Sequence, residues 1–227
     1  MVKIQYQFKR STPLRLLSHL DQQRLFQRAF RRAHIPIAYS QGFNPHPKMS
    51  FALAMSVGLT SDGEHGEVIV SEDMNAETFI SRMNQVLPKG LEIVSAKICD
   101  DGVGSLSAAL WKSIYQLKIK VLPETDFEKL AESIQAYLAL PQIFIQKRNK
   151  KGKFVEKDIR PFIEEISVSP DEENDKVNVN MTLVYIDQQC VKPEFILTSI
   201  NNQNGAVFII DPTIEIHREK LLIKADS

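Results

Sequence analysis

The hydrophobic residues of the first hundred positions change their spacing in a fixed order, and this order constrains the fold more than any other feature. At the start of the chain, Ile4, Tyr6 and Phe8 alternate with polar residues, which is typical of a strand with one wet face. Later segments switch between this spacing and the 3.6-residue spacing of a helix. The predicted elements are strand 2–8, helix 19–34, strands 51–59 and 67–70 around a turn at 60–66, helix 75–87 and strand 91–98.

The order β-α-β-β-α-β is that of a ferredoxin-like unit, and the second half of the chain repeats it with an extra hairpin. A small, polar segment at 100–107 predicts a linker between the halves. We therefore expect an α+β fold of two ferredoxin-like domains, 1–100 and 108–227, with mostly antiparallel sheets and helices on one face. The second-half elements are strand 111–122, helix 127–140, strands 142–147 and 154–156, strands 162–168 and 177–186, helix 193–201, and strands 206–210 and 213–217.

The charges divide the chain into a basic beginning and an acidic remainder. Residues 1–60 hold nine Lys and Arg against one acid, Asp21, which gives a net charge of +8. Because the whole chain contains 28 basic and 28 acidic side chains, the remaining residues carry a net charge of −8. Such a polarised chain indicates a polyanionic partner at its basic end.

The predicted helix 19–34 begins with a Ser18–Asp21 cap and separates apolar from basic residues. At helical spacing its apolar residues fall within an arc of about 140°, and four arginines fall within about 100° on the opposing side. Neighbouring arginines repel by roughly 0.2–0.5 kcal/mol per pair, and only Asp21 lies nearby to offset this. Either distant acids such as those of segment 62–77 neutralise the stripe, or a ligand does. The apolar residues are Leu25, Phe26, Ala29, Phe30 and Ala33, and the arginines are Arg24, Arg28, Arg31 and Arg32.

An irregular loop over residues 38–51 follows, since Pro36 ends the helix and further prolines keep the loop out of regular structure. It presents Tyr39 and Phe43, whose rings suit stacking on unpaired bases, beside arginines suited to phosphates. Anchoring of Phe43 in the core is an equally open interpretation, and the basic turn 147–153 is either solvated or an auxiliary RNA contact. The predicted RNA-binding residues are Arg10, Arg15, Arg24, Arg28, Arg31, Arg32, Tyr39, Phe43, His46 and Lys48.

Two histidines support a catalytic alternative. His46 is held between two prolines and has ring nitrogens that exchange protons near neutral pH, while His19 sits at the predicted helix start. Together they have the residue types of a metal-independent ribonuclease. A structural hydrogen bond is the simpler interpretation of His19. The spacing of His19, Asp21 and His46 matches no recognised metal site, and we expect no metal there.

The rest of the composition indicates a chain without cofactor or membrane partner. Cys99 and Cys190 stand alone, without metal-ligand spacing, which predicts packing thiols in a reducing, cytoplasmic setting. No apolar run approaches the ~20 residues needed to cross a bilayer.

Three segments resemble the DUF2344 family of bacterial, radical SAM-associated proteins. They are LRLLSHLD at 14–21, RAFRRAHIPIAYSQGFNPHPKMSFA at 28–52 and VGLTSDGE at 57–64. Weaker similarity continues at VEKDIRPFI (155–163) and IHREKLLI (216–223). The resemblance implies a radical SAM protein as partner and hints at RNA or ribosome biology. The chain has no CxxxCxxC cluster ligands, so radical chemistry would belong to the partner.

These observations favour one function over two others. The preferred hypothesis is a non-catalytic RNA-binding or substrate-presenting companion of a radical SAM enzyme, with tRNA or rRNA as the suspected ligand. The first alternative is the metal-independent ribonuclease that uses His46 and His19. The second is a protein-interaction module that docks a radical SAM partner through the same basic surface and does not bind RNA.

Overall fold

The computed structural model describes residues 1–99, 104–123, 125–148, 152–172 and 175–224. The chain divides into two compact units, of which unit 1 comprises Met1–Leu110 with Arg218–Ser227, and unit 2 comprises Trp111–His217. This division differs from the predicted domains 1–100 and 108–227 in placing the C-terminal segment with the first unit. Of the predicted linker 100–107 and turns 147–153 and 170–176, residues 100–103, 149–151 and 173–174 lie outside the described residues.

In unit 1, the two long helices pack against one side of an antiparallel sheet, whose strands run in the order β4-β1-β3. The short β2 pairs with β3, and the last strand of the chain, β10, also lies next to β3. The elements are β1 (Val2–Arg10), α1 (His19–Arg32), β2 (Met49–Phe51), β3 (Leu59–Val70), α2 (Ala76–Val86), β4 (Leu91–Cys99), α3 (Leu106–Ala109) and β10 (Glu215–Ile223).

In unit 2, three antiparallel strands run in the order β5-β9-β8, and β6 and β7 form a separate hairpin. Its helices bury one apolar side each, including Leu130 and Ile134 of the first and Ile196 and Ile200 of the second. The elements are β5 (Leu110–Lys120), α4 (Phe127–Ala139), β6 (Phe144–Arg148), β7 (Phe154–Asp158), β8 (Ile163–Pro170), β9 (Lys176–Val184) and α5 (Pro193–Asn204).

The predicted α+β class with mostly antiparallel strands is confirmed, whereas the predicted turn at 60–66 is wrong. Those residues lie inside the 12-residue strand β3, and the preceding strand is only Met49–Phe51. The small, polar residues of TSDGEHG are typical of a turn. Here they lie in a strand because they bond to residues distant in sequence or leave room for a neighbouring ring. Ser61 Oγ donates to Arg218 O at 2.7 Å, and a Cβ on Gly66 would lie 2.5 Å from the Tyr6 ring.

The predicted strand 206–210 is also wrong, and the predicted strand 213–217 is present but begins and ends later in the chain. The first contributes only an isolated bridge between Val121 and Phe208, and the strand that follows is Glu215–Ile223. The side chain of Asn201 replaces the missing sheet partner, because its Oδ1 accepts from the backbone N–H groups of Val207 and Phe208 at 3.1 and 3.0 Å. The four-residue helix α3 was not predicted.

The core of unit 1 is an aromatic cluster between the sheet and α1. The Tyr6 ring stacks on Phe26 with centroids 5.9 Å apart, and the Phe26 ring meets Phe51 edge-on at 5.1 Å. Phe8, Phe30 and Phe79 complete the cluster and are fully buried. Both cysteines are free thiols. No helix in the described ranges is long and apolar enough to cross a membrane.

Candidate functional site

Helix α1 buries one side and turns the other outward. Its N-terminus is capped by Ser18, whose Oγ accepts from Asp21 N at 3.2 Å and donates to Asp21 Oδ2 at 2.6 Å. This hydroxyl, together with Arg24, holds the pKa of Asp21 below its usual range. Phe26 and Phe30 are fully buried, so the residues on the opposite side of the helix lie in solvent.

Four arginines form what we call the basic face, defined as Arg24, Arg28, Arg31 and Arg32, and all four are exposed. Arg24 Nη1 lies 3.3 Å from Asp21 Oδ1. Arg32 Nη2 donates to Val86 O at 2.7 Å and so provides a hydrogen-bond donor for a carbonyl at the C-terminal end of α2. Within the described ranges, no carboxylate lies within 4.0 Å of a nitrogen of Arg28 or Arg31. Two of the four guanidinium groups are therefore uncommitted.

The acids of segment 62–77 do not neutralise the basic face. Glu64 pairs instead with the buried Arg218, at 2.6 Å from Glu64 Oε1 to Arg218 Nε and 2.7 Å from Glu64 Oε2 to Arg218 Nη2. Glu67 Oε1 accepts from Ser50 Oγ at 2.8 Å. Among the residues that the structure describes, no ion pair joins this segment to α1.

Arg10 is the one predicted contact residue that the structure removes from the surface, since it is completely buried. Its Nε and Nη2 donate to Leu59 O at 3.2 and 2.7 Å, and Nη2 also donates to Ser56 O at 2.8 Å. Nη1 donates to Leu17 O at 3.2 Å and to Gln22 Oε1 at 3.0 Å. Arg10 therefore holds the entry to α1 and is not available to a phosphate.

Arg10 remains charged although it is buried. Loss of hydration is the main cause that lowers the pKa of Arg10, to about 10, with Arg218 adding to the effect and Glu64 opposing it. The guanidinium is thus still protonated at neutral pH. The sequence contains a signal for its burial, because Arg10 falls in the same alternating series as Ile4, Tyr6 and Phe8.

The loop after α1 is closed by backbone contacts and projects its tip into solvent. A bridge joins Tyr39 to Pro47, and Ser40 N donates to His46 O at 2.9 Å while His46 N donates to Ser40 Oγ at 2.9 Å. Phe43 at the tip is completely exposed, so the hypothesis that it anchors the loop in the core is wrong. Tyr39 is 45% exposed.

The other predicted contact residues lie around this loop and the start of α1. His46 is exposed, and Lys48 is half-buried at the base of the loop, where its N–H donates to Ala38 O at 2.8 Å. Arg15 is exposed and its carbonyl accepts from Gly58 N at 2.7 Å. The side chains of Arg15, His46 and the loop aromatics are all available to a ligand.

The two histidines of the catalytic alternative occupy different environments. His19 lies edge-on to Phe51, with ring centroids 5.9 Å apart, and its Nδ1 is buried without a hydrogen-bond partner in the described part of the chain. Burial, followed by the charge of Arg10, lowers the pKa of His19. No hydrogen bond between His19 and His46 occurs among the described residues, nor does a group of three His, Cys, Asp or Glu placed to hold a metal ion.

Two features beside the basic face were not predicted from the sequence. Arg82 of α2 is exposed, and its Nη1 donates to His34 O at 3.4 Å, which places a fifth arginine near the C-terminal end of α1. Leu16, Leu20 and Val57 are exposed apolar side chains. Leu20 lies four residues before Arg24 and therefore on the same side of α1, a spacing that was visible in the sequence.

One family model matches most of the chain. The family is described as an uncharacterized protein conserved in bacteria (DUF2344), and its model covers residues 3–193. No curated protein matches the chain.

Proposed function

The chain belongs to the DUF2344 family of bacterial proteins, and from this premise and the basic face we propose that it is a non-catalytic RNA-binding protein. In this proposal it acts in the cytoplasm and presents a single-stranded segment of RNA to a radical SAM enzyme. The partner is inferred from the family resemblance alone. The RNA is inferred from the surface of unit 1.

The observation that carries the proposal is the uncommitted charge on α1. Arg28 and Arg31 are exposed, and no carboxylate of the described chain pairs with them, although the whole chain holds as many acidic as basic residues. Guanidinium groups in a row along one helix match the repeated negative charges of a phosphate backbone. Such contacts contribute affinity without reading the base sequence.

The exposed aromatic rings add a reason to favour an unpaired strand. Phe43 has its whole side chain in solvent at the tip of a loop that hydrogen bonds hold closed. An apolar ring in this position has no structural contact to make, whereas an unpaired base supplies a flat surface to stack on. Tyr39 at the base of the same loop offers a second ring.

We also propose that each unit has a ferredoxin-like fold. The order β-α-β-β-α-β in unit 1, with strands arranged β4-β1-β3 and β2 on β3, supports a ferredoxin-like half. We propose that unit 2 is also a ferredoxin-like half. Its β5, α4, β8, β9 and α5 follow a related order, with the hairpin β6-β7 inserted.

The test is RNA binding by a charge-reversed variant and its matched control. We expect Arg28→Glu with Arg31→Glu to lower the affinity for a fluorescent single-stranded RNA by roughly 100-fold or more in 50 mM salt. The control, Lys89→Glu with Lys192→Glu, makes the same change in net charge at two exposed lysines outside α1. It should lower the affinity by less than about threefold, because a change in net charge without the loss of a direct phosphate contact is screened by salt. Equal losses in both variants would contradict a localised interface.

The two alternatives are distinct outcomes of the same experiment. Absence of RNA binding, together with complex formation by a purified radical SAM partner that the Arg28/Arg31 variant abolishes, would favour the docking module. RNA cleavage that His46→Ala removes while binding persists would favour the ribonuclease.

A further inference from the structure

The sheet of unit 1 has a second side, and a cavity of about 300 Å³ lies on it. Tyr6 and its neighbours in the alternating series face the helices, so the residues between them face away from α1. Gln5 and Gln7 of β1, His65 of β3, and Ser95 and Lys97 of β4 line the cavity. No part of the proposed RNA interface lies among these residues.

The strand register explains why these polar side chains converge. Gln7 is opposite His65 on β3 and opposite Ser95 on β4, and Gln5 is opposite Lys97. Residues directly opposite in an antiparallel pair project to the same side of the sheet, about 4.5–5.5 Å apart. The five side chains therefore form two adjacent rows, one of His65, Gln7 and Ser95 across three strands and one of Gln5 and Lys97 across two.

Two side-chain amide groups in this cavity are unpaired in the described part of the chain. Gln5 is only 7% exposed, yet its side chain makes no hydrogen bond to any residue that the structure describes, and neither does that of Gln7. The amide atoms of Gln5 are also absent from the fully enclosed polar atoms, so they face open space. Since Gln5 lines the cavity, that space is the cavity. An amide that no protein group pairs and that opens into a cavity is available to hydrogen-bond a ligand.

His65 adds a hydrogen-bond acceptor with a defined tautomer. Its Nε2 lies 3.1 Å from Leu221 O, and because a carbonyl only accepts, Nε2 carries the proton. Burial is the main cause that lowers the pKa of His65, so the ring is neutral at pH 7. In a neutral ring Nδ1 is then an acceptor.

We propose that this cavity binds a nucleoside monophosphate unit. The two amides, each with a donor and an acceptor, pair with the edge of the base, and Lys97 pairs with the phosphate. Leu106 of α3 and Ile223 of β10 provide an apolar wall for the faces of the ring. A cavity of about 300 Å³ is at the lower end of the range for small-ligand sites, which suits one nucleotide and excludes a duplex.

The unit has two possible sources, a free nucleotide or the end of an RNA strand, which share the same chemistry. The proposal does not rest on RNA binding by α1, because the cavity and the basic face lie on opposite sides of the sheet. Failure of one leaves the other standing.

Isothermal titration calorimetry of the full chain with AMP, GMP, CMP and UMP tests the proposal. We expect saturable binding of at least one of them and a loss of about tenfold for each of Gln5→Met and Gln7→Met, since each removes one hydrogen-bonding group. Gln85→Met, an exposed glutamine on α2, is the matched control and should bind as the wild type does. Thermal unfolding should show Gln5→Met to be no less stable than the wild type, because the amide has no partner to lose.

Two further comparisons assign the parts of the ligand. Lys97→Met should lower the affinity for the monophosphate by about tenfold and leave that of the nucleoside unchanged, whereas Lys89→Met should change neither. A short RNA with a 5′-phosphate distinguishes an RNA end from a free nucleotide, and tight binding of either supports the site. Absence of binding by all four nucleotides and the RNA, or binding that both glutamine variants retain, would overturn the proposal. Equal affinity for ribose 5-phosphate would overturn the assignment of the amides to a base.

Discussion

Arginines in the core of unit 1 and arginines on the outer side of α1 occupy opposite environments. Arg10 and Arg218 are fully buried, and their nitrogens donate to carbonyls, to Gln22 and to the carboxylate of Glu64. Arg28 and Arg31 are exposed and meet no carboxylate in the described part of the chain. The same side chain thus serves the fold in one region and is available to a ligand in the other.

The comparison shows why a count of charges does not locate an interface. A guanidinium is brought into a core only when most of its donors are paired, because an unpaired buried charge is very costly. In solvent the same group needs no partner, and its pairs contribute little to stability. Hydrogen-bond partners therefore distinguish arginines that hold the fold from arginines that are available for binding, and net charge does not.

The largest expected effect is at Arg218. Replacement by Met leaves the carboxylate of Glu64 buried without its partner, and we expect the free energy of unfolding to fall by about 3–5 kcal/mol. Urea denaturation measures the loss. Adding Glu64→Leu to the same variant should restore most of it, and a double variant as unstable as the single one would show that packing, and not the ion pair, determines stability.

Arg10 is expected to follow. Arg10→Met leaves the carbonyls of Leu17, Ser56 and Leu59 without their donor, and we expect a loss of about 2–3 kcal/mol in the same measurement. Arg15→Met is the matched control at an exposed position and should change stability by less than about 0.5 kcal/mol. Similar values for the two variants would contradict the division between core and surface arginines.

Arg32 shares features of both groups of arginines. It is exposed, yet its bond to Val86 O holds the end of α2. We expect Arg32→Gln to lower the free energy of unfolding by about 0.5–1 kcal/mol and to weaken RNA binding less than Arg28→Gln. An RNA effect equal to that of Arg28→Gln would place Arg32 fully in the interface.

The smallest effect is a pH dependence of stability that two partly buried histidines introduce. The folded pKa values of His19 and His65 are lowered, in both cases mainly by burial, and for His19 also by Arg10. The unfolded chain therefore binds protons first as the pH falls through about 6.5, so stability present above that pH is lost as the pH falls toward the folded pKa values. His65→Gln should reduce this loss in unfolding curves recorded from pH 7.5 to 5.5.

NMR titration of the Arg10→Met variant should give a higher pKa for His19 than in the wild type, because the variant removes the positive charge of Arg10. An unchanged or lower pKa would contradict the assigned influence of Arg10.

Local patterns predicted much of unit 1 correctly, including β1, α1 with its Ser18 cap, α2 and β4. These elements depend on spacing within a few residues, as does the outward direction of Arg28 and Arg31. The centre of β3 was missed because Glu64 and its partner Arg218 are 154 positions apart. No local pattern records such a pair.

The cavity was missed for a related reason. Gln5 and Gln7 have the period-two spacing of a wet strand face, and their burial depends on α3 and β10, which come much later in the chain. The net charge of residues 1–60 predicted Arg10 as an RNA contact. Its place in the alternating series with Ile4, Tyr6 and Phe8 instead indicates burial.

The salt dependence of RNA affinity reports directly on whether Arg28 and Arg31 contact phosphates. Each phosphate contact to a single strand contributes roughly 0.7 to the slope of log affinity against log salt concentration. We predict that Arg28→Gln with Arg31→Gln lowers the slope of the wild type by about 1.4 while stability changes by less than about 0.5 kcal/mol. A slope equal to that of the wild type would contradict the assignment of these two arginines to phosphates.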